Sequence, residues 1–366
     1  ELQPEADSNS GQDDYSTTNV QVQGVDEGDI VKTDGEYIYQ VNKQRIVTVK
    51  ANPPDKMNII STIDCASKNI SPKEIYLHGN KLVIIGSSRL YYPLYEIKGG
   101  SNNLTSAPNN SSTKESEIDA DVNGSLSKVK EGSFKVEFYP APQYSRNSVK
   151  ALIYDMTDKE NITLLREIEL EGNHISSRKI GSSLYLVANS YINKYYIQGD
   201  EMNGTPYYKD TAMKDEYVNI GYDAIRYFPG LIEPNYMVVA GIDIDGDESA
   251  NVSAYLGAGQ DIYASGENLY VALSSYSKGF ATAYEEKTQL YKFALKDAKL
   301  TYLCKGEVPG TILNQFSMDE NGSQFRIAAT KGNVWGTGEN ISKNCLYVLD
   351  DMLSITGSID DMAPGE

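Results

Sequence analysis

Three aspartates at alternate positions, Asp243, Asp245 and Asp247 in GIDIDGDESAN, are the closest this 366-residue chain comes to a metal loop. Carboxylates at that spacing ligate calcium in helix–loop–helix hands, where a glycine holds the sixth place and a bidentate Glu the twelfth. Here Gly246 falls at the fourth place and Ala254 at the twelfth. The segment therefore reads as an acidic hairpin turn centred on Asp245-Gly246, with Ca2+ as the alternative and no other cofactor expected. A second acidic group, Asp26, Glu27 and Asp29, stands just ahead of the first strand pattern. It reads as a solvated loop, with a cation site as the competing reading.

The other chemistry on offer is aromatic. The chain has 28 Tyr against one Trp, and tyrosine supplies flat apolar area with a hydroxyl, suited to sugar rings and extended peptides. The candidate ligand contacts fall in three groups. Arg89, Tyr91, Tyr92 and Tyr95 form the first. Tyr191, Tyr195, Tyr196, Tyr207, Tyr208, Arg226 and Tyr227 form the second, and Tyr276 and Tyr284 the third. The competing reading is that these rings pack long loops onto the body of the fold. A glycosidase-like hydrolase, needing only two carboxylates on one face, is the alternative function. Among 51 acidic residues no pair stands out. No GxSxG elbow occurs, and SMDENGSQF (317–325) has its glycine one place late and Phe325 for Trp against the Ser-x-Asp-x-Gly-x-x-Trp box of sialidases. With only His78 and His174, schemes needing several imidazoles are disfavoured. Cys65, Cys304 and Cys345 lack CxxC spacing and read as buried strand residues.

These residues must be positioned by a repeat. A tight turn followed by an apolar strand recurs at 34–41, 78–85, 180–187, 265–272 and 320–329, and a second and third strand follow each time. Such meanders cannot bury both faces alone and must stack. The fold class expected is all-β: a β-propeller of four-stranded antiparallel blades, with about five blades visible at 29–65, 72–171, 175–257, 260–308 and 312–360. The second-to-third strand (b–c) connections are long only in the second and third units, giving insertions at 86–149 and 190–236. Because b–c loops leave a blade on one face, the insertions are expected to build up that face and make it the binding face. RLYYPLY (89–95) and FKVEFYPAPQY (134–144) are expected to pair as an extra hairpin, and 210–226 to form a short helix. Asn19–Val22 is expected to be a strand that completes the last blade.

Residues 1–14 are polar and acidic and read as a disordered leader, leaving 15–366 for the propeller. The formal net charge of −18 opposes nucleic acid and anionic membrane surfaces. No apolar run is long enough for a membrane span.

YSTTNVQVQGVDEGDIVKTDGEYIY (15–39), REIELEGNHISSRKIGSSLYLVAN (166–189), YFPGLIEPNYMVVAGIDI (227–244) and LDDMLSITGSIDDMAPGE (349–366) resemble the secreted prokaryotic β-propeller family, a distant relation of WD40 repeats. The resemblance implies an exported or lipid-anchored parent protein, located outside the cytoplasm or at the cell surface. It also implies a propeller that continues past the position matching Glu366. It brings no molecular activity with it. The reading from sequence is a non-catalytic recognition module for polysaccharide or protein.

Overall fold

The computed structural model describes residues 20–92, 144–191, 204–227, 235–257, 259–278, 284–333, 335–336, 338 and 341–365. Residues up to Leu90 and from Arg146 onward form one compact unit; Tyr91–Ser145 form another, described only at strand ends. The unit is built from antiparallel meanders. The first blade holds β1 (Val31–Thr33), β2 (Tyr37–Asn42), β3 (Arg45–Lys50) and β4 (Asn58–Asp64). The second holds β5 (Ser71–His78), β6 (Lys81–Tyr92), β7 (Tyr144–Asp155) and β8 (Thr163–Glu171). β9 (Asn173–Ile180) and β10 (Ser183–Tyr191) open the third blade. Its b–c segment carries β11 (Tyr207–Asp210), β12 (Lys214–Asn219) and β13 (Ile225–Tyr227), and β14 (Asn235–Asp243) and β15 (Asn251–Leu256) complete it. The fourth blade is β16 (Asp261–Ala264), β17 (Asn268–Lys278), β18 (Tyr284–Lys296) and β19 (Lys299–Pro309). The fifth is β20 (Met318–Asn321), β21 (Gln324–Lys331), β22 (Lys343–Leu349) and β23 (Ile355–Met362).

The strands are rich in Val, Ile, Tyr and Leu, and polar turns separate them. Gly181 sits at φ +57° in the β9–β10 turn, a conformation that Cβ-bearing residues rarely adopt. Four apolar clusters join the blades in series. Tyr39 and Ile46 meet Ile75, Leu82 and Ile84 between the first and second blades. Ile85, Ile153 and Leu170 meet Leu186 and Val238 between the second and third. Val187 and Val239 meet Leu269 and Phe293, then Tyr270 and Leu290 meet Phe325 and Tyr347. Middle blades are buried on both faces, so Leu82, Val83, Ile84 and Ile85 are all buried in succession. The first and fifth instead alternate, as Phe325, Ile327 and Ala329 show against their exposed neighbours.

Several expectations need correcting. Strands β6 and β7 reach Tyr92 and Tyr144, so the second-blade insertion is narrower than 86–149. The proposed pairing of 89–95 with 134–144 falls mostly outside the described residues. The segment 210–226 is not α-helical: it holds β12, a single 3-10 turn at Tyr222–Ala224 and the start of β13. Val218 and Tyr208 pair across β11 and β12, and strand pairing there overrides any helical spacing. Residues 20–24 form a turn rather than a strand, closed by a Val25 N–H bond to the Val22 carbonyl at 3.1 Å. Finally, the third-blade insertion does not simply build up one face. β11 pairs along β8 and β12 along β11, extending the second blade outward, while β13 lies parallel to β15.

Candidate functional site

In each meander the a–b and c–d turns share one end, and the b–c and d–a connections share the other. The aspartate turn lies at the first end. Asp245 is held by two side chains of the second blade, with His78 Nε2 at 2.8 Å from Oδ2 and Lys81 Nζ at 3.0 Å from Oδ1. Hydrogen bonds from both keep its carboxyl below the ordinary range. Arg166 of β8 donates to the carbonyls of Asp243, Gly246 and Glu248 at 3.4, 3.3 and 2.9 Å. It also grips Asp210 through two nitrogens, at 2.9 and 2.6 Å. A guanidinium thus sits where carbonyls of an acidic turn converge, and the turn works as a clamp between blades. Asp243 accepts the Asp245 N–H at 3.1 Å. The three carboxylates are not brought together, and no group of three metal-ligating side chains occurs among the described residues.

The opposite end holds an open cavity of about 390 Å³ between the first two blades. It is lined by Gln44 of the β2–β3 turn, by Ala66, Asn69 and Ile70 of the d–a connection and by Ser71 at the start of β5. Ser87, Ser88 and Arg89 of β6, Asn147 and Ser148 of β7, and Asn173 complete it. The loop is fixed locally, since Asn69 adopts φ +52° and its Nδ2 donates to the Arg89 carbonyl at 3.0 Å. Asn147 Nδ2 donates to Asn173 Oδ1 at 2.8 Å. Behind the wall, two buried carboxylates are fully engaged. Glu169 accepts from Ser148 at 2.5 Å and from Tyr217 at 2.8 Å, and pairs with Lys150 at 3.3 Å. Glu171 binds Arg146 at 2.7 Å, Ser190 at 2.8 Å and the Tyr207 N–H at 3.2 Å.

The candidate tyrosines scatter. Tyr91 and Tyr92 end β6, and Tyr95, Tyr195 and Tyr196 lie outside the described residues. Tyr207 and Tyr208 are half-buried on β11, and Tyr208 packs on the cluster between the second and third blades, so that ring serves packing. Arg226 reaches Tyr255 OH at 3.3 Å. Tyr276 and Tyr284 are strand residues of β17 and β18 rather than loop residues, because the connection shrinks to 279–283. Two rings stand free: Tyr191 is 63% exposed and Tyr227 71%. Tyr191 pairs with Asn235, and Tyr227 with Leu256, so both lie at the b–c end of the third blade. Their strands stand three spacings apart, about 14 Å. The register turns the side chains to opposite faces of the sheet, Tyr191 to the face of Val187 and Met237 and Tyr227 to that of Ile225 and Leu256.

A third arrangement escaped the sequence reading. Residues 21–29 run over the innermost strands of several blades. Gln21 donates to the carbonyls of Gln315 and Met318 at 3.2 and 3.1 Å, Asp26 bridges Lys179 of β9, and Asp29 bridges Ile75 of β5. Asp26 and Glu27 are not a solvated loop: Asp26 meets Lys32 at 2.8 Å and Lys179 at 3.4 Å, and Glu27 meets Arg178 at 3.5 Å. Beneath lies a polar core. Ser177 donates to Glu74, Tyr76 OH is 2.6 Å from Ser177 Oγ, and Arg178 donates to Gln315 at 2.9 Å. His174 Nε2 is 3.2 Å from Glu74, inside ion-pairing distance but off hydrogen-bond direction. Burial pushes the Glu74 carboxyl up, but His174, Ser177 and Arg178 together hold it below its usual value. The signal was in the text of the chain: HISSRK (174–179) places charged and hydroxyl residues in a strand that had to be internal. The carboxyl of Asp261, by contrast, is raised, by burial alone.

Comparison with known proteins agrees with the architecture. A relative in Methanocaldococcus jannaschii, an uncharacterized protein, is 25% identical over 96% of this chain and 55% of its own length. An uncharacterized protein of Archaeoglobus fulgidus is 27% identical over 94% of this chain and 56% of its own. The chain thus spans just over half the length of these relatives. Among solved structures, the crystal structure of the N-terminal domain of Nup159 covers 92% of the chain and 75% of its own at 8% identity, with a TM-score of 0.26, too low to argue from. The model of the β-propeller domain family matches residues 15–366, and with five four-to-six-stranded antiparallel sheets behind that match, the chain belongs to this family.

Proposed function

We propose that this propeller is a non-catalytic recognition module that binds a polysaccharide at the b–c end of its blades, outside the cytoplasm or at the cell surface. The observation that carries the reading is the exposure of two rings, Tyr191 and Tyr227, at the b–c end of the third blade, one on each face of its sheet. Large aromatic surface left in water is costly unless a partner covers it. A ring on either side of the blade end offers an extended glycan two stacking platforms, and a peptide strand is the alternative occupant. The test is a thermal-shift and titration screen against cell-surface glycans. A ligand specific to the folded state raises the melting temperature. Tyr191→Ala and Tyr227→Ala should each weaken a binding glycan about tenfold without lowering the melting temperature of the free protein. Unchanged affinity in both variants would remove the reading. Release of new reducing ends from a bound glycan would turn it into the glycosidase alternative.

A further inference from the structure

The cavity between the first two blades differs in character from the rest of the molecule. The chain carries 51 acidic residues against 33 basic ones, yet the cavity is lined by amides, hydroxyls and one guanidinium, with no carboxylate among its lining residues. Of the acids close by, Glu169 and Glu171 lie behind its wall and are consumed by Lys150, Arg146 and three hydroxyls, and Asp64 is turned to the Ala66 N–H at 3.0 Å. Arg89 is exposed at the end of the lining, and no described carboxylate pairs with it. Asn69, Asn147 and Asn173 spend only part of their hydrogen-bonding capacity on one another and on the Arg89 carbonyl. A primary amide offers two donors and two acceptor lone pairs, so acceptor and donor sites remain pointing at solvent. Gln44 and Ser71 add more of both kinds.

Alternating amide donors and acceptors match the vicinal hydroxyls of a sugar, and an unpaired guanidinium matches a carboxylate. We infer that this cavity is a subsite for a carboxylate-bearing sugar residue of the uronic acid type, with Arg89 holding the carboxylate and Asn69, Asn147 and Asn173 the ring hydroxyls. The inference rests on the recognition reading above and names its ligand class. Cavity and exposed tyrosines open at the same ends of their blades, so one acidic polysaccharide can engage both. An overall acidic protein must supply such a ligand with a local positive site, since long-range attraction is absent.

The experiment is isothermal titration of the 366-residue chain with tetragalacturonate and with its methyl ester, which has the same hydroxyls and no charge. The acid should bind about tenfold tighter, the margin between a charge-assisted and a neutral hydrogen bond. Arg89→Gln should erase that preference and Arg89→Lys keep part of it, while Asn147→Ala and Asn173→Ala should weaken both forms alike. Equal affinity for acid and ester, a preference that survives in Arg89→Gln, or failure of both forms to bind would each overturn the inference. Binding of neutral glycans that still depends on Tyr191 and Tyr227 would leave the recognition reading standing while this one falls. Melting temperatures of the variants guard against misfolding, since Arg89 and Asn173 are exposed and their loss should cost little stability.

Discussion

At the scale of single residues, Arg166 decides the most. It is a buried guanidinium on β8 that answers to Asp210 of the inserted hairpin and to three carbonyls of the 243–248 turn. Removing either charge strands the other in a dry interface, which costs about 3–5 kcal/mol. Asp210→Asn should therefore lower stability to denaturant by that order. Its pH dependence has a definite sign. Burial pushes the Asp210 carboxyl up, but Arg166 and the N–H groups of Ala250 and Ala212 outweigh it and hold it below the usual range. A carboxyl lowered on folding stabilises the native state above its unfolded pKa of about 4, and that contribution is lost as pH falls toward the native value. Unfolding free energies measured from pH 6 down to pH 2 should fall more steeply below about pH 4 in the parent than in Asp210→Asn. Parallel curves would show that the pair contributes nothing.

At the scale of elements, the blades are spaced by backbone contact as well as by side chains. The β18–β19 hairpin tip presses against β14, so that a Cβ added at Gly241 would collide with the Ala298 carbonyl oxygen. Gly306 of β19 meets the Leu353 carbonyl of the fifth blade in the same way. Gly241→Val should force the third and fourth blades apart and cost about 1–3 kcal/mol, seen as a lower urea midpoint. An unchanged midpoint would mean that the hairpin tip yields freely. The strands themselves were legible because turn residues and apolar alternation recur with each blade. Strand ends were not: KALIYDM extends back to Tyr144 through polar residues that pairing alone makes extended. The inserted strands were illegible for the same reason, since Lys209 and Asp215 give no apolar period, and β11 exists because β8 offers it an edge. Of the candidate site, Arg89 and the two exposed tyrosines could be named from type and context. The asparagines could not, because only folding brings Asn69, Asn147 and Asn173 around one space.

At the scale of the whole chain, the four apolar clusters join the blades in series, and among the described residues none joins the fifth to the first. Each outer blade keeps a row of apolar residues on its far face. Ile38, Val49 and Ile59 line up across β2, β3 and β4, and Ala328, Leu346 and Ile359 across β21, β22 and β23. Ile59 is 66% and Ile359 56% exposed. Sheet faces of that composition bind one another or a dye. Ile59→Lys with Ile359→Lys should lower fluorescence of a hydrophobic probe and reduce concentration-dependent association in light scattering, with the melting temperature held. No change in either signal would show that those rows are already covered. The lead-in segment adds a consequence in time. Gln21 bonds to Gln315, 294 positions later, whereas each blade packs on its immediate neighbour. Contacts that close so long a stretch of chain form late, because loop closure must come first. As the polypeptide leaves the ribosome, Asp29 and Asp26 can seat on the second and third blades, but Gln21 must wait for the fifth. The docking of Gln21 is therefore later than the packing of the five blades on their neighbours.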